Sequence, residues 1–191
     1  MKLKLFFVFI IFLLGLIYLI APSPSYPDLT GGARSDEPGD TWQHPDQKGF
    51  YTNANRQTVL KDIQSQFVIR LAGFSLPSFR LNYRPEEAQT LVRDQLESYY
   101  LEEIIYPFRE SIFINGWEPK SSPKMAGKPA KEIPDISLHG IAYSAKITLR
   151  PVSSPVWARI LVWILLFPAT YLVYLSYKNV LSFPRRRESI Q

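Results

Sequence analysis

Apolar residues gather at the two ends of this chain and fall into shorter patterns between them. From Leu5 to Ala21 the run LFFVFIIFLLGLIYLIA carries no charge, and from Ile160 to Tyr177 a second run, ILVWILLFPATYLVYLSY, is apolar on every side. Apolar runs of roughly 17–25 residues have the length of a membrane-crossing helix, so both runs are expected to span. The first is expected to be a retained signal anchor rather than a cleaved signal. It is longer than the usual ~7–15-residue signal core, and Ala21-Pro22-Ser23 and Ser23-Pro24-Ser25 are poor cleavage sites. Pro168 is expected to kink the second helix, a defect membrane helices tolerate. Lys4, Trp157, Arg159, Tyr177 and Lys178 stand at the ends of the two runs as interface anchors.

The polar middle divides further. Residues 22–49 are rich in Pro, Ser, Gly and Asp without apolar periodicity, which predicts a disordered spacer. Residues 121–134 predict a flexible loop in the same way, and the lysines at 124, 128 and 131 read as solvated. Between Asn55 and Phe67, Val59, Leu60, Ile63 and Phe67 recur at helical spacing behind Asn55 as N-cap. A second helix is expected to start at Pro85-Glu86-Glu87 and run through Ile104 and Ile105 to Pro107. Ser111 to Ile114 predicts a strand entering a tight turn at Asn115-Gly116. Leu138 to Val152 alternates apolar and polar residues with a period of two and predicts the clearest strand. The expected fold is therefore α+β. Two transmembrane helices, 5–21 and 157–178, flank an extracytoplasmic domain (50–156) of about two helices on a short antiparallel sheet. Residues 1–4 and the basic tail 179–191 are expected in the cytoplasm.

Charge fixes the expected orientation. The net charge is +5, yet between Pro22 and Val156 basic and acidic residues nearly balance, 15 against 16. The excess sits beside the apolar runs, so the composition does not describe a nucleic-acid-binding face. Lys2 and Lys4 precede the first run, while Asp28 comes before Arg34 on its far side. Lys178, Arg185, Arg186 and Arg187 follow the second, against Arg150 and Arg159 before it. Positive residues favour the cytoplasmic side, which predicts a hairpin with both termini inside.

The sequence offers little chemistry. There is no cysteine, and the two histidines are His44 and His139, so thiol nucleophiles, disulfides and multi-histidine metal centres are excluded. No phosphate loop, nucleophile elbow or dinucleotide fingerprint occurs. No metal, cofactor or catalytic role is therefore expected. Glu102-Glu103 reads as a solvated helix face, because adjacent helical residues diverge by about 100°. His139 has no partner signalled by the sequence. Aromatic and arginine residues are enriched at protein interfaces, which marks Arg93, Tyr99, Tyr106, Arg109 and Trp117 as a candidate partner interface.

The block LNYRPEEAQTLVRDQLESYYLEEIIYPFRESIFINGWEPK, Leu81 to Lys120, resembles a segment of uncharacterised two-helix membrane proteins of uncultured, small-genome bacteria. That family has no assigned activity, so the resemblance implies a bacterial envelope setting and no site residues. The ending SFPRRRESIQ resembles peptides translated from genomic repeat elements. The function expected from these readings is a membrane-anchored, non-enzymatic component of an envelope assembly, with the bilayer and a protein partner or second copy as its contacts. The alternative is an extracytoplasmic ligand-binding or sensory domain working with a separate signalling subunit. An envelope hydrolase acting through Glu or His comes third.

Overall fold

A computed structural model describes residues 2–92 and 97–187. The chain forms two compact units, one built from residues 22–153 and one from the two apolar ends.

The 22–153 unit is organised on ten strands and two short helices: β1 (Ala33–Arg34), β2 (Lys48–Thr52), α2 (Arg56–Gln66), β3 (Arg70–Leu71), β4 (Phe74–Ser75), β5 (Phe79–Tyr83), α3 (Ala88–Leu91), β6 (Tyr100–Ile105), β7 (Ser111–Trp117), β8 (Ile136–Leu138), β9 (Ile141–Tyr143) and β10 (Ala145–Val152). Six strands make one antiparallel sheet in the order β1-β2-β10-β7-β6-β5, and β3-β4 and β8-β9 are separate two-stranded ribbons. The last strand in sequence, β10, lies inside the sheet between β2 and β7.

Facing residues share a side of an antiparallel sheet, so the register sorts the core. Tyr100, Glu102, Ile104, Ile112, Ile114, Ile147, Leu149 and Phe50 point to one face, all buried. Helix α2 lies over this face, as the bonds of Arg56 to Glu102 and Asn82 show. Its apolar stripe, Val59, Leu60 and Ile63, is at most 2% exposed. Asn55 caps it, accepting a hydrogen bond from the Thr58 N–H at 2.9 Å. On the opposite face Leu101 and Phe113 pack with Ala88 and Val92, and Tyr51 packs with Ile136 and Leu138. Burying both faces removes the alternation that marks a one-sided sheet.

Several expectations are corrected here. Helix α3 stops after four residues, and the stretch expected to continue it, Tyr100–Ile105, is strand β6. Glu102 and Glu103, read as a solvated helix face, belong to this strand. In a strand they point to opposite faces, and they are 2% and 6% exposed, not a solvated face. The hairpin turns instead at 106–110, where Tyr106 N donates to Glu110 O and Arg109 N to Tyr106 O, both at 2.9 Å. Asn115-Gly116 is not a turn but lies within β7. Gly116 is required there because a Cβ would enter the Tyr100 ring. Residues 22–49, expected as a spacer without structure, hold β1, the start of β2 and buried Leu29, Ser35, Asp40 and Gln47. The loop 121–134 contains two 3-10 turns, Pro123–Met125 and Ala130–Glu132.

The other unit pairs α1 (Lys2–Ile20) with α4 (Val156–Arg187). Trp163 donates its indole N–H to Phe12 O at 3.1 Å, and the Phe12 and Phe167 rings meet edge-on at 5.2 Å. Gly15 admits the Trp163 indole where any Cβ would overlap it. Among the described residues one helix, over Val156–Val180, is long and apolar enough to cross a membrane, and only 6% of its apolar window is buried within the molecule. The expected pair of flanking spans is thus overturned. The apolar helix Leu5–Ile20 is too short, covering about 24 Å of a hydrocarbon core of about 30 Å.

Candidate functional site

The sheet ends on one side at the two-residue strand β1 and on the other at the five-residue strand β5. No described strand pairs with the outer side of β5. Its sequence, Phe79-Arg80-Leu81-Asn82-Tyr83 followed by Arg84, alternates with a period of two. Phe79, Leu81 and Tyr83 lie on one face, and Arg80, Asn82 and Arg84 on the other. Phe79 is 57% and Leu81 42% exposed, and Arg80, Asn82 and Arg84 are exposed too. An open edge of this kind is a template for another extended chain.

Behind the edge lies a polar cluster. Glu102 Oε2 pairs with Arg80 Nε at 3.1 Å, and Oε1 accepts from Arg56 Nε at 2.8 Å. Arg56 also donates to Asn82 Oδ1 at 3.2 Å and lies over the Tyr100 ring at 4.9 Å. Two guanidiniums therefore share one buried carboxylate and remain partly in solvent, at 37% and 54% side-chain exposure. On the other face, Tyr83 donates to Glu103 at 2.6 Å, a bond that with burial pushes its phenol up to about 12. Glu118 is pushed above the usual carboxylate range by burial, against the opposing pull of Arg56 and Ser121.

A second cluster gathers Ser35, Glu37, Asp40, Tyr51 and Lys146. Lys146 Nζ contacts Asp40 at 2.7 Å and Glu37 at 2.5 Å, while Ser35 and Tyr51 donate to Asp40 and Glu37. Serine, lysine and carboxylates together have the composition of a hydrolytic site, but their protonation is wrong for one. Burial favours the neutral amine, yet the bonds to Asp40 and Glu37 outweigh it and hold Lys146 above its usual value. A charged ammonium cannot accept a proton from Ser35. Glu37 is held low by the matching balance, with the Lys146 and Tyr51 bonds exceeding the effect of burial. This cluster ties the 35–40 loop to β10. His139 lies 2.9 Å from Asp36 in an exposed pair, and no group of metal-binding residues occurs among the described residues.

Two clefts remain. An open polar one of about 420 Å³ is lined by Ser23, Ser25, Ser65, Gln66 and Arg70, among others, and an apolar one of about 600 Å³ runs between Leu5, Phe9, Phe12 and Phe167.

The residues singled out from sequence do not assemble into one surface. Tyr106 is 1% exposed, its hydroxyl donating to Phe67 O at 3.1 Å and accepting from Ile69 N at 3.2 Å. The Arg109 guanidinium is fully buried, pairing with Glu110 at 3.0 Å and donating to Pro22 O at 3.2 Å. Both hold the interior of the unit and are withdrawn as interface residues. Tyr99 and Trp117 are half-buried and adjoin one another across β6 and β7, where Tyr99 N donates to Gly116 O and Trp117 Nε1 to Glu97. Arg93 and the side chain of Lys4 lie outside the described residues. Among the expected membrane anchors, Trp157, Tyr177 and Lys178 are exposed, whereas Arg159 is 5% exposed and bonded to Ser154 and Leu19 O. The edge strand escaped sequence reasoning, although the alternation from Phe79 to Arg84 carries its signal. Compared with known proteins, the chain matches no protein-family model, no curated protein and no solved structure.

Proposed function

We propose that this protein is a non-enzymatic, membrane-anchored interaction module that takes up an extended segment of a partner protein along β5. In this reading α4 crosses the bilayer of a bacterial envelope, with the basic residues Lys178 and Arg185 to Arg187 on its cytoplasmic side and the folded 22–153 unit on the opposite side. The observation that carries it is the open β5 edge with Phe79 and Leu81 exposed. Soluble sheets normally cover or interrupt such an edge, and strand addition is a recurrent mode of peptide recognition. The polar cleft at Ser23, Ser25, Ser65, Gln66 and Arg70 is the observation favouring the ligand-binding alternative.

The test is a photo-crosslinking amino acid placed at Leu81 in the full chain, in its native membrane, with the exposed Lys61 on α2 as control. A discrete adduct at Leu81, absent at Lys61 and lost on Phe79→Lys, is expected. Equal labelling at both positions, or none at Leu81, overturns the reading.

A further inference from the structure

We infer that the partner segment β5 accepts is an acidic strand, alternating apolar residues on one side with Asp or Glu on the other. This inference rests on the proposed role of β5 and adds the chemistry of its occupant. A strand laid along β5 continues the sheet, so its side chains fall on the same two faces. Those following Phe79, Leu81 and Tyr83 meet an apolar row. Those following Arg80, Asn82 and Arg84 meet a row of two arginines and an amide, with Arg56 of α2 bonded to Asn82 beside it.

Charge decides between occupants. Arg56 and Arg80 share the carboxylate of Glu102, and Glu118 also lies within electrostatic reach of Arg56. Arg84 extends the same row, so three arginines stand against two carboxylates on this face and the edge holds excess positive charge. A second copy of the chain pairing β5 to β5 would bring two arginine rows onto one face. Like charges at cross-strand positions are unfavourable, and this disfavours self-pairing while leaving the backbone edge open. A segment with carboxylates at every second residue meets the same row with bidentate geometry. The strand thus combines an attractive and a repulsive element, which is how specificity is built.

The experiment uses the full-length protein in nanodiscs with neutral lipid and two short capped peptides, one of alternating valine and glutamate and one of alternating valine and lysine. Binding is followed by titration, and its site by backbone amide shifts of residues 79–84. The acidic peptide is expected to bind about fivefold or more tightly than the basic one, as two partly exposed charge contacts allow, and the gap should narrow with added salt. Arg84→Glu should remove most of the preference, and Arg80→Gln should weaken it without setting a like charge against Glu102. Equal binding of both peptides at the β5 amides would overturn the acidic chemistry and leave the edge reading standing. If neither peptide moves those amides, both readings are overturned, and tighter binding of the basic peptide overturns the acidic chemistry.

Discussion

Gly116 illustrates how much rests on single positions. It faces Tyr100 across the β6–β7 pair, and the ring occupies the space a side chain would need. Gly116→Ala must displace a phenol that is itself 1% exposed. Overpacking of this kind costs about 1–3 kcal/mol, and denaturant unfolding of the variant should show a loss in that range. Two carboxyls give opposite pH signatures. Glu37 is held below its ordinary value near 4.5 because the Lys146 and Tyr51 bonds outweigh its burial. Its contribution is therefore present above that pH and is lost as pH falls below it. Glu118 is raised by burial, so it costs stability as pH rises from the ordinary value near 4.5, and the cost is complete above the folded value. Glu37→Gln should lower stability at neutral pH and Glu118→Gln should raise it. On acidification the Glu118 difference should close as pH falls to the ordinary value near 4.5, and the Glu37 difference only at lower pH, below its depressed folded value, as thermal unfolding across pH would show. A Glu118→Gln variant less stable at pH 7 would refute the assignment.

Among the elements, α2 and β6 depend on one another through a charge. Glu102 lies in the interior while its partners Arg56 and Arg80 reach solvent. Removing Arg56 strands part of a buried carboxylate, whereas removing Glu102 leaves two arginines free to rehydrate. Arg56→Met should thus cost more than Glu102→Met, with the first about 2 kcal/mol or more. The double variant should recover part of that loss in a mutant cycle. The elements also explain where sequence and structure part. Asn55 to Phe67 forms the predicted helix because cap, spacing and burial agree. Tyr100 to Ile105 sets apolar pairs on either side of two carboxylates with no period-two alternation, and only pairing with β5 and β7 decides for the strand. Leu138 to Val152, expected as one strand, divides twice, at the His139-Gly140 turn after β8 and at Ser144. Ile141 to Tyr143 pairs with β8, and Ala145 onward enters the main sheet.

For the whole molecule, α4 is the part whose surroundings matter most. Its apolar surface is covered by protein at 6% of the window, which leaves the rest to meet a medium that does not penalise it. Leu165, 55% exposed at the middle of the run, gives the test. Leu165→Lys should reduce membrane integration by about 2.5–3.5 kcal/mol on the translocon scale, seen as a shift to the soluble fraction on alkaline extraction. Unchanged fractionation would remove α4 as the anchor. The apolar helix Leu5–Ile20 has a different place in the unit, lying along α4 through Phe12, Gly15 and Trp163.

The sequence alone determined those features that depend on neighbours along the chain. These are the long apolar helix near the C-terminus, the capped helix at 56–66, the strand at 111–114 and the absence of thiol chemistry. Tertiary structure decided what depends on neighbours in space. It drew residues 22–49 into the sheet, because the ladder of β2 with β10 and the Lys146–Asp40 contact join positions about a hundred residues apart. It buried Tyr106 and Arg109, whose partners lie at Phe67 and Pro22. It also left β5 as the outer strand, since whether an alternating stretch lies inside a sheet or at its edge is fixed by strand order, which local pattern does not encode.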